Sequence, residues 1–232
     1  MEQPVTPGTP VPNTSAPTPG PRSGGYAKGN VRRDAIVAAA TELFGRVGYR
    51  TATMVQVADV ARISRAGLLH HFPTKERLLE AVLAARDRID HDRVAQRSGA
   101  PSDGVRILAD LVALVEHNAT IPAIVNLYAV LSAEAGDPTH PAHAYFVARY
   151  ATSRRDIEHA VSLVEKAGRL RPGTDPATLA VELIALMDGL QVQWLLAPDT
   201  VDMAAVLRHR IDAALTVPLP ITTQTAAPDA VS

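Results

Sequence analysis

The run ISRAGLLHHFPTKERLLEAVL, residues 63–83, decides how the chain folds. Ser64 is placed to cap a helix, its hydroxyl accepting from an amide of the first turn. That helix must end by Phe72, because Pro73 lacks an N–H and disfavours helical backbone in the residue before it. Thr74 then caps a long helix with Leu78, Leu79, Val82, Leu83 and Ile89 on its apolar side. Upstream, Thr53-Met54-Val55-Gln56 fits a capping box and opens another short helix that ends around Ala61. Two short helices with about three residues between them have helix-turn-helix dimensions. Ala58 falls where they cross, and Ile63 and Leu68 supply buried contacts. Arg65, His70 and His71 stay on the outer side, leaving the helix's first half to enter a major groove about 12 Å wide.

Outward from this core the chain reads as all-α, about nine helices. Residues 1–25 form a Pro/Thr/Ser/Gly-rich leader with seven prolines before Arg22, a composition that cannot offset its ordering entropy and predicts disorder. The first helix is expected from Asn30 or Val31, with Ile36, Ala40, Leu43, Phe44 and Val47 on one face and Gly48 as its stop. After a Ser98–Pro101 loop, a fifth helix starts at Ser102 and a sixth near Pro122, ending at Gly136. A seventh runs from Pro141 to Gly168. Asp175-Pro176 caps an eighth that is apolar almost all round, so more than the chain's own core must cover it. A ninth spans Val201 to Leu215. The divisions expected are 26–74 for the helix-turn-helix head, 75–217 for a larger helical body, and a flexible tail at 218–232.

Composition narrows the function. The 232 residues are 47% hydrophobic, far above a disordered chain, and carry no cysteine, which removes disulfides and thiolate chemistry. No run of eighteen apolar residues is free of charge and no secretory signal is seen, so a cytoplasmic protein without a membrane span is expected. The net charge is −1, but residues 22–72 hold eight basic against three acidic side chains, and residues 73–232 fifteen against twenty. A basic first third on an acidic body suits a nucleic-acid module joined to a second function; chance clustering on a solvated face gives the same count.

The resemblance then becomes specific. Arg33-Asp34-Ala35-Ile36, Leu43-Phe44, Gly48-Tyr49, Val57-Ala58 and the run from Ile63 to Leu83 resemble the DNA-binding domain of the tetracycline-repressor (TetR) family over residues 30–80. Met187-Asp188-Gly189-Leu190-Gln191-Val192-Gln193-Trp194-Leu195 resembles the penultimate helix of many members. The resemblance implies a homodimeric regulator, more often a repressor than an activator, that binds double-stranded operator DNA and releases it on binding a small-molecule effector. It places Thr53 and Lys75 at phosphates, with Ser64 opening the recognition helix, and Arg65, Ala66 and Gly67 facing base edges. His71 stands at a phosphate-contacting position, beside His70. Arg32 and Arg33, with Lys28, are set to reach backbone or an adjacent minor groove. Three positions depart from the family pattern. Gly67 replaces a usual Thr, Leu69 replaces a common Tyr, and Arg62 stands where Gly is frequent, implying a positive φ. Arg65 is then the only side chain at these positions able to bind guanine bidentately; a plain phosphate contact is the other reading.

Helices six and seven carry polar groups amid apolar runs. Asn126, Tyr128, Glu134, His143 and Tyr145, with Trp194, are therefore candidate ligand contacts, each equally readable as an ordinary core or surface group. Leu183, Met187, Gly189, Leu190, Trp194, Leu207 and Ile211 are the candidate dimer interface, helices eight and nine pairing with their symmetry mates. No catalytic constellation, cofactor motif or metal-ligand spacing is found. His140 and His143 are three apart but straddle Pro141 without a third ligand. The alternatives are a DNA-binding dimer without a sensor and, more remotely, an all-α enzyme.

Overall fold

The computed structural model describes residues 23–97 and 103–220. These residues form nine helices and no strand: α1 (Ser23–Val47), α2 (Met54–Val60), α3 (Arg65–His71), α4 (Lys75–Arg97), α5 (Gly104–Ala119), α6 (Pro122–Glu134), α7 (His143–Lys166), α8 (Pro176–Leu196) and α9 (Met203–Ala214). Expected helix starts at Thr53, Ser64 and Asp175 become N-caps. Each side chain accepts from a first-turn amide, of Gln56, Gly67 and Thr178 respectively. One boundary moves: α1 begins at Ser23 rather than at Asn30 or Val31, taking in the last three residues assigned to the leader. No proline follows Pro21 before Ser23, so nothing in the sequence there bars the earlier start. Leader residues 1–22, the expected start at Ser102, the tail from 221, and the Lys28 and Ile89 side chains lie outside the described residues.

The core is continuous from head to body. Phe44, Leu68 and Leu78 of the first four helices share one buried cluster with Leu127 and Leu131 of α6 and Phe146 of α7. A second cluster joins α5, α7, α8 and α9 through Leu108, Val161, Leu183 and Leu207. The α1–α6 crossing is close because Gly45 lacks a side chain. A Cβ there would lie 3.0 Å from the Ala123 carbonyl oxygen and 3.1 Å from the Leu127 nitrogen. Helix α1 is thereby tied to α6, and α4 packs in turn on α1. Among the described helices α8 alone has the length and mean hydropathy (1.4) of a membrane span. Leu179, Leu183 and Leu190 are buried in the chain's own fold, so one side of α8 belongs to the core while the rest stays uncovered.

Candidate nucleic-acid interface and internal cavity

Helix α2 begins with a complete capping box. The Thr53 hydroxyl accepts from Gln56 N–H at 3.2 Å, and Thr53 N–H donates to Gln56 Oε1 at 2.9 Å. The turn to α3 passes through Arg62 at φ 54°, the left-handed conformation expected there. Ser64 closes the start of α3, its Oγ accepting from Gly67 N–H at 3.1 Å. Ala58 and Leu68 are buried between the two helices. Ser64, Arg65, Ala66 and His70 lie exposed along one side of α3, with Gly67, Leu69 and His71 half-buried. Basic and small residues thus project together from a seven-residue helix.

The surroundings fix this head. Lys75, first residue of α4, donates from Nζ to the Arg50 carbonyl oxygen at 3.2 Å and stands 4.4 Å above the Tyr49 ring. Burial lowers its pKa from the usual ammonium value. Tyr49 donates from its backbone N–H to Glu134 of α6 at 3.0 Å and from its hydroxyl to Glu76 at 3.3 Å. Arg50 pairs with Asp137, just beyond α6. Arg33 places its guanidinium 4.9 Å over the Phe72 ring, while Arg32 is exposed. Lys75, Arg50 and Arg33 are therefore held in place by the surrounding protein, and Glu134 at the end of α6 is bonded to the Tyr49 backbone between them.

Between α4, α5, α6, α7 and α8 lies a cavity of about 470 Å³. That volume falls within the range of small-molecule sites, roughly 300–1,000 Å³. Its walls are mainly apolar, among them Leu111, Val115, Ile124, Phe146 and Ile184, with polar groups set at intervals. Arg86 of α4 is buried and donates from Nη2 to Asn118 Oδ1 at 2.6 Å. Arg149 donates to Asp87 at 3.0 Å and lies 4.6 Å over the Tyr128 ring. The Tyr128 and Tyr145 hydroxyls are 2.9 Å apart, and Tyr145 donates to Asp87 at 2.8 Å. Tyr150 donates to Asp188 of α8 at 2.8 Å, and burial with that carboxylate pushes its phenol up to about 12. Cavity and head are mechanically linked, since α4 and α6 both line the one and hold the other.

Residues 36–82 match the family model of bacterial regulatory proteins of the tetR family, and residues 138–216 that of the C-terminal part of BetI-type transcriptional repressors. The chain belongs to the TetR family. A TetR-family relative, the HTH-type transcriptional regulator TtgR of Pseudomonas putida, is 25% identical over 187 residues, 79% of this chain and 89% of that protein. Two solved structures share the fold. One, a protein of Saccharomonospora viridis in complex with choline, has a TM-score of 0.66 at 23% identity, covering 79% of this chain and 95% of its own. The other is SmeT, repressor of a Stenotrophomonas maltophilia multidrug efflux pump, in complex with triclosan. Its TM-score is 0.68 at 18% identity, covering 85% of this chain and 98% of its own. TetR-family members are transcriptional regulators, and the helix-turn-helix of this one is the α2–α3 pair.

Within that TetR frame the candidate ligand contacts separate. Tyr128 lines the large cavity; Tyr145 borders a smaller cleft beside α4 and reaches the cavity only through the Tyr128 hydroxyl. Glu134 is turned to Tyr49, and His143 Nδ1 lies 2.8 Å from the Ala135 carbonyl oxygen, so neither is a wall residue. Asn126 is half-buried away from the cavity, and Trp194 packs in a third cluster with Val125, Leu190 and Met203. The interface candidates need a correction. Leu183, Leu190, Leu207 and Ile211 are buried within the single chain and cannot form an outer surface. Gly189 is exposed, while Met187 lines the cavity. The exposed stripe of α8 runs instead through Val181, Ala185, Gly189, Val192 and Leu196, at three- and four-residue spacing. Arg86, Asn118, Phe146, Arg149, Tyr150 and Asp188 were missed as cavity residues. Their clue was only that charged and aromatic residues interrupt otherwise apolar helices.

Proposed function

We propose that this protein is a homodimeric, sequence-specific DNA-binding regulator, a cytoplasmic repressor that leaves its operator when a small molecule fills the cavity among α4–α8. The observation that carries the reading is the physical continuity of α4. Lys75 at its start belongs to the head, and Arg86 farther along the same helix forms the cavity wall. In this reading residues 26–74 bind DNA and 75–217 bind ligand and dimerise. Arg65, Ala66, Gly67 and Leu69 face the bases. Thr53, Ser64, His70, His71 and Lys75 meet phosphates through hydroxyls, ring nitrogens, the ammonium and two helix N-termini. Arg32 and Arg33 reach the neighbouring backbone or minor groove.

Two recognition helices of a dimer must meet major-groove faces about 34–36 Å apart. A ligand that moves α4 or α6 changes that separation, because α6 is packed on α1 at Gly45 and bonded to Tyr49 through Glu134. Release then requires that the ligand favour the separated state, by about 1–3 kcal/mol in typical coupling. That the neighbours in complex with choline and with triclosan share this fold supports a small-molecule role for the body. The test is a fluorescence-anisotropy titration on duplex from the region upstream of its own gene, against a scrambled duplex, at several salt concentrations. Tight binding to the first duplex alone, two chains per site, is expected; equal weak binding to both overturns an operator there.

A further inference from the structure

Taking the cavity as an effector site, as proposed above, we infer that its ligand is an organic cation with a hydrophobic body. The charge would be met by the Asp188 carboxylate beside the ring of Tyr150 and its neighbour Phe146 on the same wall. The charged side chains along the wall are not balanced alike. Arg149 is engaged on two sides, by Asp87 at 3.0 Å and by the face of Tyr128 at 4.6 Å. Arg86 is engaged by Asn118. Asp110, 6% exposed, has Arg106 at 3.4 Å. Asp188 differs: among the described residues its one hydrogen bond comes from the Tyr150 hydroxyl, and no ion pair reaches it.

A carboxylate in an apolar wall with a single hydrogen bond is poorly compensated for its lost hydration. Burial accordingly raises the Asp188 pKa, against the Tyr150 hydrogen bond and the field of Arg149. The aromatic rings of that wall pack on one another, Phe146 edge-to-face with Tyr128 and tilted at 38° to Tyr150. Phe146 lies 5.9 Å from Tyr128 and 6.3 Å from Tyr150, centroid to centroid. Ring faces attract a desolvated cation through their quadrupoles, and a quaternary or protonated amine adds a full charge opposite the carboxylate. An anion of the same shape meets three carboxylates on the wall, Asp188, Asp110 and the exposed Asp156, against the two guanidiniums of Arg86 and Arg149, the second already paired with Asp87. A neutral molecule gains the apolar contacts and leaves Asp188 as it was.

The experiment uses the full-length protein and three probes of one shape: phenethyltrimethylammonium, its neutral carbon isostere (3,3-dimethylbutyl)benzene, and the anion 3-phenylpropanoate. Each is titrated by calorimetry into wild type and into Asp188→Asn, with circular dichroism to confirm the fold. The cation should bind wild type about tenfold or more tightly than the isostere, with the anion weakest. Asp188→Asn should remove most of that preference and leave the isostere's affinity unchanged. Equal affinity for cation and isostere in wild type, or a preference that survives Asp188→Asn, overturns the cation assignment while the cavity remains an effector site. If none of the three binds, the effector reading falls together with it. Should Asp188→Asn not fold, the wild-type ranking decides between cation and neutral ligand alone.

Discussion

At Gly104, first residue of α5, an added Cβ would lie 2.2 Å from the Ala160 carbonyl oxygen and 2.9 Å from Val164 of α7. Neither backbone can yield without parting the two helices, so Gly104→Ala should cost about 1–3 kcal/mol or more. Urea unfolding would show a lowered midpoint at unchanged slope; a midpoint equal to wild type would mean α5 slides freely. Gly67 offers the contrast. A Cβ there meets only the Ser64 Oγ, at 3.2 Å, so alanine should leave stability level or slightly raised. Nothing local in the sequence separates these two glycines, both near helix starts. The difference is a neighbour far along the chain, which only the fold supplies. His140 makes a second residue-scale case. It is buried beside Tyr49, its Nδ1 accepting from Ala142 N–H at 3.2 Å and its Nε2 lying 3.6 Å from Glu134. Burial holds its pKa below the ordinary 6.5, against the pull of Glu134 and Asp137 and with the help of Arg50. The unfolded chain therefore takes up a proton that the folded one refuses. Its contribution is complete above pH 6.5 and is lost as pH falls through and below that value. Denaturant midpoints measured from pH 7.5 downward should drop more steeply for wild type than for His140→Gln; parallel curves would assign the acid sensitivity elsewhere.

At the scale of elements, the head was legible because its signals are local. Thr53 and Gln56, Ser64 and Gly67, and Pro73 each act within one turn of the residue they constrain, so cap chemistry alone places α2, α3 and the start of α4. The cavity was not legible for the converse reason. Its polar groups come from α4, α5, α6, α7 and α8, and Arg86 or Asp110 in a linear sequence look like solvated helix residues until five helices close around them. The two charged ends of the recognition unit carry a prediction of their own. Arg65 is exposed with an open side chain, whereas Lys75 is already held by Arg50 and Tyr49. Lys75→Ala should weaken binding to all duplexes and flatten the dependence of log affinity on log salt by about one unit. Arg65→Ala should relax sequence preference, costing about 1–3 kcal/mol at one base step. Anisotropy against a set of single-base operator variants distinguishes them, and uniform weakening by Arg65→Ala would make it a phosphate contact.

The whole molecule turns on α8. A helix apolar almost all round has no amphipathic phase, so its sequence says that both sides are covered without saying which side meets which partner. That is why Leu183 and Leu190 read as interface residues and proved to be core. In the fold, Leu179, Leu183 and Leu190 face inward, and the outer stripe retains Val181, Val192 and Leu196, the last 82% exposed. Ala185 and Gly189 lie between them on the same side, and the site of a Gly189 Cβ has no neighbour within 4 Å. Small residues amid a valine and leucine stripe let a second backbone approach closely. Val206 of α9 is exposed as well. A run of exposed apolar side chains along one helix is the kind of surface that marks an interaction site. A two-fold partner laying its own α8 and α9 against it would bury both copies at once. Val192→Arg places a charge in the centre of that stripe, and in such a dimer the two copies would face like charges without water. Sedimentation velocity at micromolar concentration should show wild type at twice the chain mass of 24.6 kDa and the variant at the monomer mass, with the helical signal retained. DNA affinity should fall with it, because one head contacts one half-site and loses the tether to the second. A wild-type monomer at that concentration, or a variant that stays dimeric and binds DNA undiminished, would move the interface off α8.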